Sequence, residues 1–254
     1  MTVSTNVLLV SDIHLSLDVP LRTELFLQFI DQQVGNIKSL YILGDLFEYW
    51  VGDDDINNAF HERIVLALRR VVERGVKLFV MVGNRDFLIG TQFAQASGAV
   101  LLKDPTLITI AEKKILLMHG DAQCTNDMQY KIFRTIVRNR FVQKIFLYLP
   151  LKSRQRWAQK LRQQSQKSNQ MKTSEMMDVN LMTIRTMFEE FDVKTIIHGH
   201  THRPARHVME VNGQTCVRFV LPDWEVEEQI KRGGGVMIDE KGEVFRIDTN
   251  GQLL

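Results

Sequence analysis

The sequence predicts an α/β fold built on a mainly parallel core, followed by an antiparallel tail. Two patterns carry that reading. Short apolar runs ending in polar punctuation alternate with stretches of helical periodicity, and the texture changes to hairpins after residue 205. With 254 residues and 44% apolar content, the chain has enough material to bury a substantial core.

"NVLLVSD" (6–12) is the first predicted strand, and "SLYILGD" (39–45), "KLFVMVGN" (77–84), "KILLMHGD" (114–121) and "VKTIIHGH" (193–200) follow. Each is a continuous apolar run of strand length, as expected for strands covered on both faces. Helical periodicity around 20–34 and 56–74 separates the first three, which gives β-α-β units. From Lys131 to Lys172 there are twelve Lys and Arg residues and no acidic one, so 20 basic residues face 30 acidic ones elsewhere. Within this cationic island Phe133, Val137, Phe141, Ile145 and Leu149 recur every fourth position, with Ile132 and Ile136 beside them. That is the period of one amphipathic helix, which Pro150 ends. "QQSQKSNQ" (163–170) is polar enough to be a loop between helices. Asn212-Gly213 and Lys241-Gly242 are hairpin turns of the tail.

The first fifteen residues lack a basic leader region, and no apolar stretch approaches the roughly 18 residues of a membrane span, so the chain is expected in the cytoplasm. Cys124 and Cys216 have no metal-type spacing and are expected as buried thiols.

In open α/β sheets ligands gather outside the carboxyl ends of the strands. All five predicted ends carry ligand-capable side chains: Asp12 and His14, Asp45, Asn84, His119, then His198 and His200. Asp12 and His14 are two apart and would share a face, and the same spacing pairs His198 with His200. Any one of these dipeptides is an ordinary turn; their ordered recurrence is not. Seven imidazole, carboxylate and amide ligands suit two ions about 3.5–4 Å apart with a bridging carboxylate. Without thiolate, Mn²⁺, Fe²⁺ and Zn²⁺ all remain open. His61 and His207 read as structural, and His202 either touches substrate or hydrogen-bonds its loop. Asp53-Asp54-Asp55 reads as a solvated helix N-terminus.

Asp12-x-His14, Gly44-Asp45, Gly83-Asn84-Arg85-Asp86, His119-Gly120-Asp121 and His198-Gly199-His200 within "HGHTH" resemble, in order, the motifs of the calcineurin-like metallophosphoesterases. The resemblance implies a sandwich of two β-sheets flanked by helices, with 1–121 and 190–254 as the core and 122–189 as an inserted helical lid. It implies that Asp12, His14 and His200 hold one metal, that Asn84, His119 and His198 hold the other, and that Asp45 bridges them. Gly-Asn-Arg replaces the family's commoner Gly-Asn-His at 83–85. Arginine stays charged and cannot act as a general acid, so the leaving group should need no proton, as in a pyrophosphate whose departing phosphate has a second pKa near about 6. The alternative is that Arg85 only clamps phosphate while acid catalysis comes from elsewhere.

"GDLFEYWVGDDD", "GNRDFLIG", "HGDAQCTNDMQY", "SQKSNQMK" and "MMDVN" resemble, more narrowly, a branch of that family that hydrolyses a diacylated nucleotide sugar in bacterial lipid A synthesis. This implies two Mn²⁺ per chain, catalytic roles for Asp45, Asn84, Arg85 and His198, and substrate contacts at Asn84, Arg85, Asp127, Ser165, Asn169, Lys172 and His198. Gln166 follows Ser165 where the branch carries a basic residue, which loosens that contact. The basic amphipathic lid is expected to meet an anionic membrane at the cytoplasmic face of the inner membrane rather than nucleic acid, because its stripe is aliphatic as well as aromatic. A nuclease or dinucleoside polyphosphate hydrolase on the same core is the rival enzyme, and a metal-free interaction module is the rival outside enzymes.

Overall fold

The computed structural model describes residues 6–170, 178–226 and 231–254, with the backbone alone over 166–170. Along the chain run β1 (Val7–Val10), α1 (Pro20–Gln33), β2 (Ser39–Leu43), α2 (Ala59–Glu73), β3 (Lys77–Met81), α3 (Thr91–Ser97), β4 (Val100–Leu102), β5 (Thr106–Ile110) and β6 (Lys113–Met118). Then come α4 (Met128–Val137), α5 (Arg140–Leu147), α6 (Leu151–Gln170), α7 (Leu181–Phe191) and β7 (Thr195–His198). The tail holds β8 (Ala205–Val211), β9 (Gln214–Val220), β10 (Glu225–Val226), β11 (Lys231–Arg232), β12 (Gly235–Ile238) and β13 (Val244–Ile247).

The α/β class holds, and the strands divide between two sheets, giving a sandwich flanked by helices. One sheet has the order β13-β12-β1-β2-β3-β4, with β1 to β4 parallel and β12 and β13 antiparallel. The other has the order β5-β6-β7-β9-β8, parallel at its centre and antiparallel at both edges. A single parallel core was the simpler expectation. The second sheet escapes it because β6 opens antiparallel to β5 across the short turn at Ala111-Glu112. Leu9, Leu43 and Met81 of the first sheet meet Ile115, Leu117 and Ile197 of the second in the shared core. On the outer faces, Phe26, Phe29 and Trp224 pack edge to face beneath α1, while Ile184 and Phe188 of α7 cover Leu116 and Ile196. These contacts pack α7, most of which lies inside the lid expected over 122–189, directly against the second sheet.

The amphipathic stripe is one period carried by two helices, not one helix. Asn139 breaks it, its side chain accepting hydrogen bonds from the Phe141 and Val142 amides and thereby capping a new N-terminus. The expected loop at 163–170 is instead the last two turns of α6. Gln and Lys are nearly as good helix formers as Leu, and no Gly or Pro interrupts them. Cys124 and Cys216 are buried thiols in no disulfide. Asn212 and Gly213 turn β8 into β9 with φ of 49° and 72°, the conformation an Asn-Gly hairpin favours.

The acidic run is not a solvated helix end. Asp53 accepts from the Gly90, Gln92 and Phe93 amides and from the Trp50 indole, and so caps α3 from a distance. Asp54 pairs with the guanidinium of Arg154, which is only 2% exposed and also bonds the Val51 and Leu149 carbonyls. Buried Asp55 faces His61 and Gln155. The run therefore fastens α6 to the core. We expect Asp54→Asn to cost about 1–3 kcal/mol by weakening the bonds to a buried charge. Amide hydrogen exchange should rise across α5 and α6 and stay unchanged in β1 to β3.

Candidate metal centre

The ends of β1, β2, β3 and β6 and the turn after β7 converge where the two sheets meet. Their side chains reach one another because the backbone leaves the strands in an uncommon conformation. Asp12, His14, Asp45, His200 and His202 all have φ between 52° and 69°, the left-handed region that costs a side-chain-bearing residue about 1–2 kcal/mol. Hydrogen bonds outside the sheets impose this, with the Asp12 amide donating to the Gly44 carbonyl (3.1 Å) and the His14 amide to the Asp45 carbonyl (2.9 Å). Buried Asp86 organises the far side, accepting from the Gly83 amide at 2.7 Å and the Leu46 amide at 2.8 Å. Gly44, at φ 92°, must lack a Cβ, since one would lie 2.5 Å from the His119 ring and 2.7 Å from Gly83 Cα.

Among the described residues two clusters of potential ligand atoms result, Asp12 with His14 and His202, and Asp45 with His119 and His200. Asp45 also joins them, its Oδ2 lying 3.9 Å from His14 Nε2 and 3.8 Å from His119 Nε2. His14 Nε2 and His202 Nε2 approach to 3.3 Å, and Asp12 Oδ1 is 3.6 Å from His202. The His119 Nδ1–H donates to the Leu43 carbonyl (2.9 Å), which aims Nε2 at the Asn84 side-chain oxygen at 3.0 Å. Imidazole nitrogens and carboxylate oxygens converging in this way, together with a buried Asp12 Oδ1 that has no hydrogen-bond partner, fit a cation in place of the protons they hold.

The histidine pair differs from the one predicted. His198 extends β7 in register with Ile196, so period-two alternation turns it to the outer face. There it is fully buried, with Nδ1 against the Gly199 carbonyl (2.8 Å) and Nε2 against the guanidinium of Arg218 (3.0 Å). It faces neither cluster. His200 and His202, beyond the Gly199 turn, face them instead, and the His200 amide donates to Asp12 Oδ2 at 2.8 Å. The β-branched run "TII" continues as strand through His198, and that parity was the signal available in the sequence.

Of the predicted substrate contacts, Asn84 and Arg85 stand at the clusters, and the Arg85 amide donates to Asp45 Oδ1 at 2.8 Å. Buried Asp127 caps α4, and Ser165 is half-buried on α6. Lys172 and the side chain of Asn169 lie outside the described residues. Tyr130 and Arg134 of α4, absent from the sequence reading, both donate to Asp121 at 2.8 Å, and the Tyr130 ring stacks on His200.

Burial opposes charge throughout, yet the carboxylates concentrate enough negative potential to retain protons. Burial lifts Asp45 to about 7. His119 rises to about 9 although burial opposes it, because Asp45 and Asp121 hold its proton. His202 likewise rises to about 10 through Asp12 and Asp223. Burial and the Arg218 charge lower His198 to about 4.

The family model for calcineurin-like phosphoesterases matches residues 5–204. A UDP-2,3-diacylglucosamine hydrolase of Pseudomonas fluorescens is 42% identical over 236 residues, covering 93% of this chain and 92% of the relative. One of Proteus mirabilis is 44% identical over 220 residues, 87% of this chain and 91% of the relative. One of Pseudomonas paraeruginosa is 42% identical over 246 residues, 97% and 96% respectively.

Two outcomes follow from this geometry. His202→Ala should weaken Mn²⁺ uptake by at least about 100-fold, the upper range for losing even an indirect support of a ligand, whereas His198→Gln should bind manganese as the parent does. Because His119 and His202 hold protons up to about 9 and about 10 in the metal-free protein, manganese uptake at pH 7.5 should release protons, read by calorimetry in buffers of different ionisation enthalpy. Their raised values also give the metal-free fold stability that is complete below the ordinary histidine range and is lost as pH climbs through 9 to 10.

Proposed function

The chain belongs to the calcineurin-like phosphoesterase family, and we propose from this that it hydrolyses the pyrophosphate of UDP-2,3-diacylglucosamine, giving UMP and 2,3-diacylglucosamine 1-phosphate in lipid A biosynthesis. The observation that carries the reading is Arg85, a permanent cation whose amide bonds the carboxylate shared by the two clusters. The names of the relatives support the substrate.

In this reading Asp12, His14 and His202 would hold one manganese ion and Asn84, His119 and His200 the other, with Asp45 available to both. When bound, the pair supplies Lewis-acid polarisation of the phosphoryl oxygens and a water of lowered pKa. Water adds to the α-phosphorus in line and gives up a proton to solvent, and the bond from that phosphorus to the bridging oxygen breaks. The electron pair leaves with the lipid-linked phosphate, which needs no proton at neutral pH. Half-buried Arg85 stabilises the charge growing on the departing group, and its guanidinium cannot exchange a proton with it. His198, behind the β7 strand, takes the role of a buried support and not of a catalyst.

The lid is proposed to bind the acyl chains and to rest on the cytoplasmic face of the inner membrane. Among the described residues no helix is long and apolar enough to cross a bilayer. The helices α4 and α5 nevertheless expose Ile136, Phe141, Ile145 and Tyr148 beside Lys131, Arg140 and Lys144, a combination suited to an anionic interface.

Manganese-loaded protein should release UMP rapidly from UDP-2,3-diacylglucosamine and much more slowly from a bare UDP-sugar or a dinucleoside polyphosphate. Equal rates on all three would remove the lipid assignment in favour of a general phosphoesterase. Arg85→Met should lower kcat by about 100-fold. Vesicles with anionic lipid should retain the protein in a salt-sensitive manner, and Phe141→Asp should abolish retention while leaving metal uptake intact.

A further inference from the structure

Three imidazoles in the two clusters have an oxygen facing the second nitrogen, close for two of them and farther for His14. His119 has the Leu43 carbonyl, and His202 Nδ1 lies 3.3 Å from Asp223, itself bonded to Arg232 at 2.6 Å. His14 has Glu48, buried two residues beyond Leu46, with Oε2 3.7 Å from Nδ1. That Nδ1 is buried and has no hydrogen-bond partner. Two of the three supports are thus carboxylates, and each is paired with an arginine. The difference lies in where the arginine comes from. Arg232 belongs to the core, whereas Arg162, whose Nε is 2.8 Å from Glu48 Oε1, belongs to α6 of the insertion. Arg85 also approaches Glu48 Oε1, at 3.9 Å.

We infer that Glu48 is the positioning residue for His14 and that, through Arg162, it makes the strength of metal binding depend on the docking of α6. The inference rests on the metal reading proposed above. A carboxylate behind a ligating imidazole fixes its tautomer and raises its basicity, and such supports change metal affinity by about 10–100-fold. An arginine on the other oxygen holds that carboxylate in place. Asp18 engages the same guanidinium at 3.1 Å from the loop after β1, so the α6 side chain is clamped between two acidic groups of the core. Docking of the lid and orientation of His14 are then one event, and a lid that lifts loosens a metal ligand.

Manganese binding to Glu48→Gln, Arg162→Met and the double variant, followed by the spectroscopic signal of free Mn²⁺ with MnCl₂ as the only ligand, tests this. Glu48→Gln should bind about 10–100-fold more weakly. Arg162→Met, which retains much of the apolar stem, should shift affinity in the same direction. The double variant should bind no more weakly than Glu48→Gln alone. Unchanged affinity in Glu48→Gln overturns the inference, as does a double variant whose losses multiply. A parent protein that takes up no manganese overturns the metal reading and this one with it, and is distinguished because it fails before any variant is compared.

Discussion

The structure turns on Asp45, a carboxylate 1% exposed whose two oxygens are used in opposite directions. One accepts from the Arg85 amide and anchors the β3 loop; the other faces imidazoles from β1 and β6, which belong to different sheets. A buried anion is tolerated only with compensating charge. Asp12, Asp86 and Asp121 lie buried nearby, so the junction between the sheets carries more negative charge than its hydrogen bonds can neutralise. Protonation of His119 and His202 answers that in the metal-free protein, and divalent cations answer it better. The left-handed backbone at five of these side chains is consistent with the same demand, since such conformations persist only where the surroundings over-determine them.

The basic insertion follows from the same charge. Its arginines look like an external patch in composition, but several turn inward. Arg134 bonds Asp121, Arg138 bonds the Gly83 carbonyl, Arg154 meets Asp54 and Arg162 meets Glu48. Positive charge on the insertion is therefore divided between attachment to an acidic core and display on the outer surface, where Lys131, Arg140 and Lys144 remain exposed. This division explains how helices with no fully buried apolar residue in α4 or α5 are held over the junction at all.

Much of this was legible in the sequence. Strand runs at 6–12, 39–45 and 77–84 and the helices between them are periodic enough to be read directly, and the residues at their ends meet as the α/β rule requires. What failed was local and physical. The four-residue stripe spacing from Val137 to Phe141 survives a break in the helix, because Asn139 follows the end of one helix and caps the next without disturbing the period. The acidic run at 53–55 looked solvated because its partners, Arg154 and the α3 amides, are distant in sequence.

The histidine register is the instructive case, because the structure gathers His200 and His202 into the clusters where the spacing also allows His198 with His200. Three histidines at every second position satisfy a same-face argument in two ways, as His198 with His200 or as His200 with His202, and spacing alone does not choose. Strand length chooses. While β7 remains paired with β6 and β9, alternation binds His198 to the face of Ile196, and only the residues after the last pair are free to turn inward. Gly199 supplies the turn because Ser11 and Asp12 press against the place a Cβ would occupy. A glycine between two histidines thus marks the boundary between the residue that belongs to the sheet and those that belong to the site. His198 itself is fully buried at the end of β7, with Arg218 Nη1 3.0 Å from its Nε2.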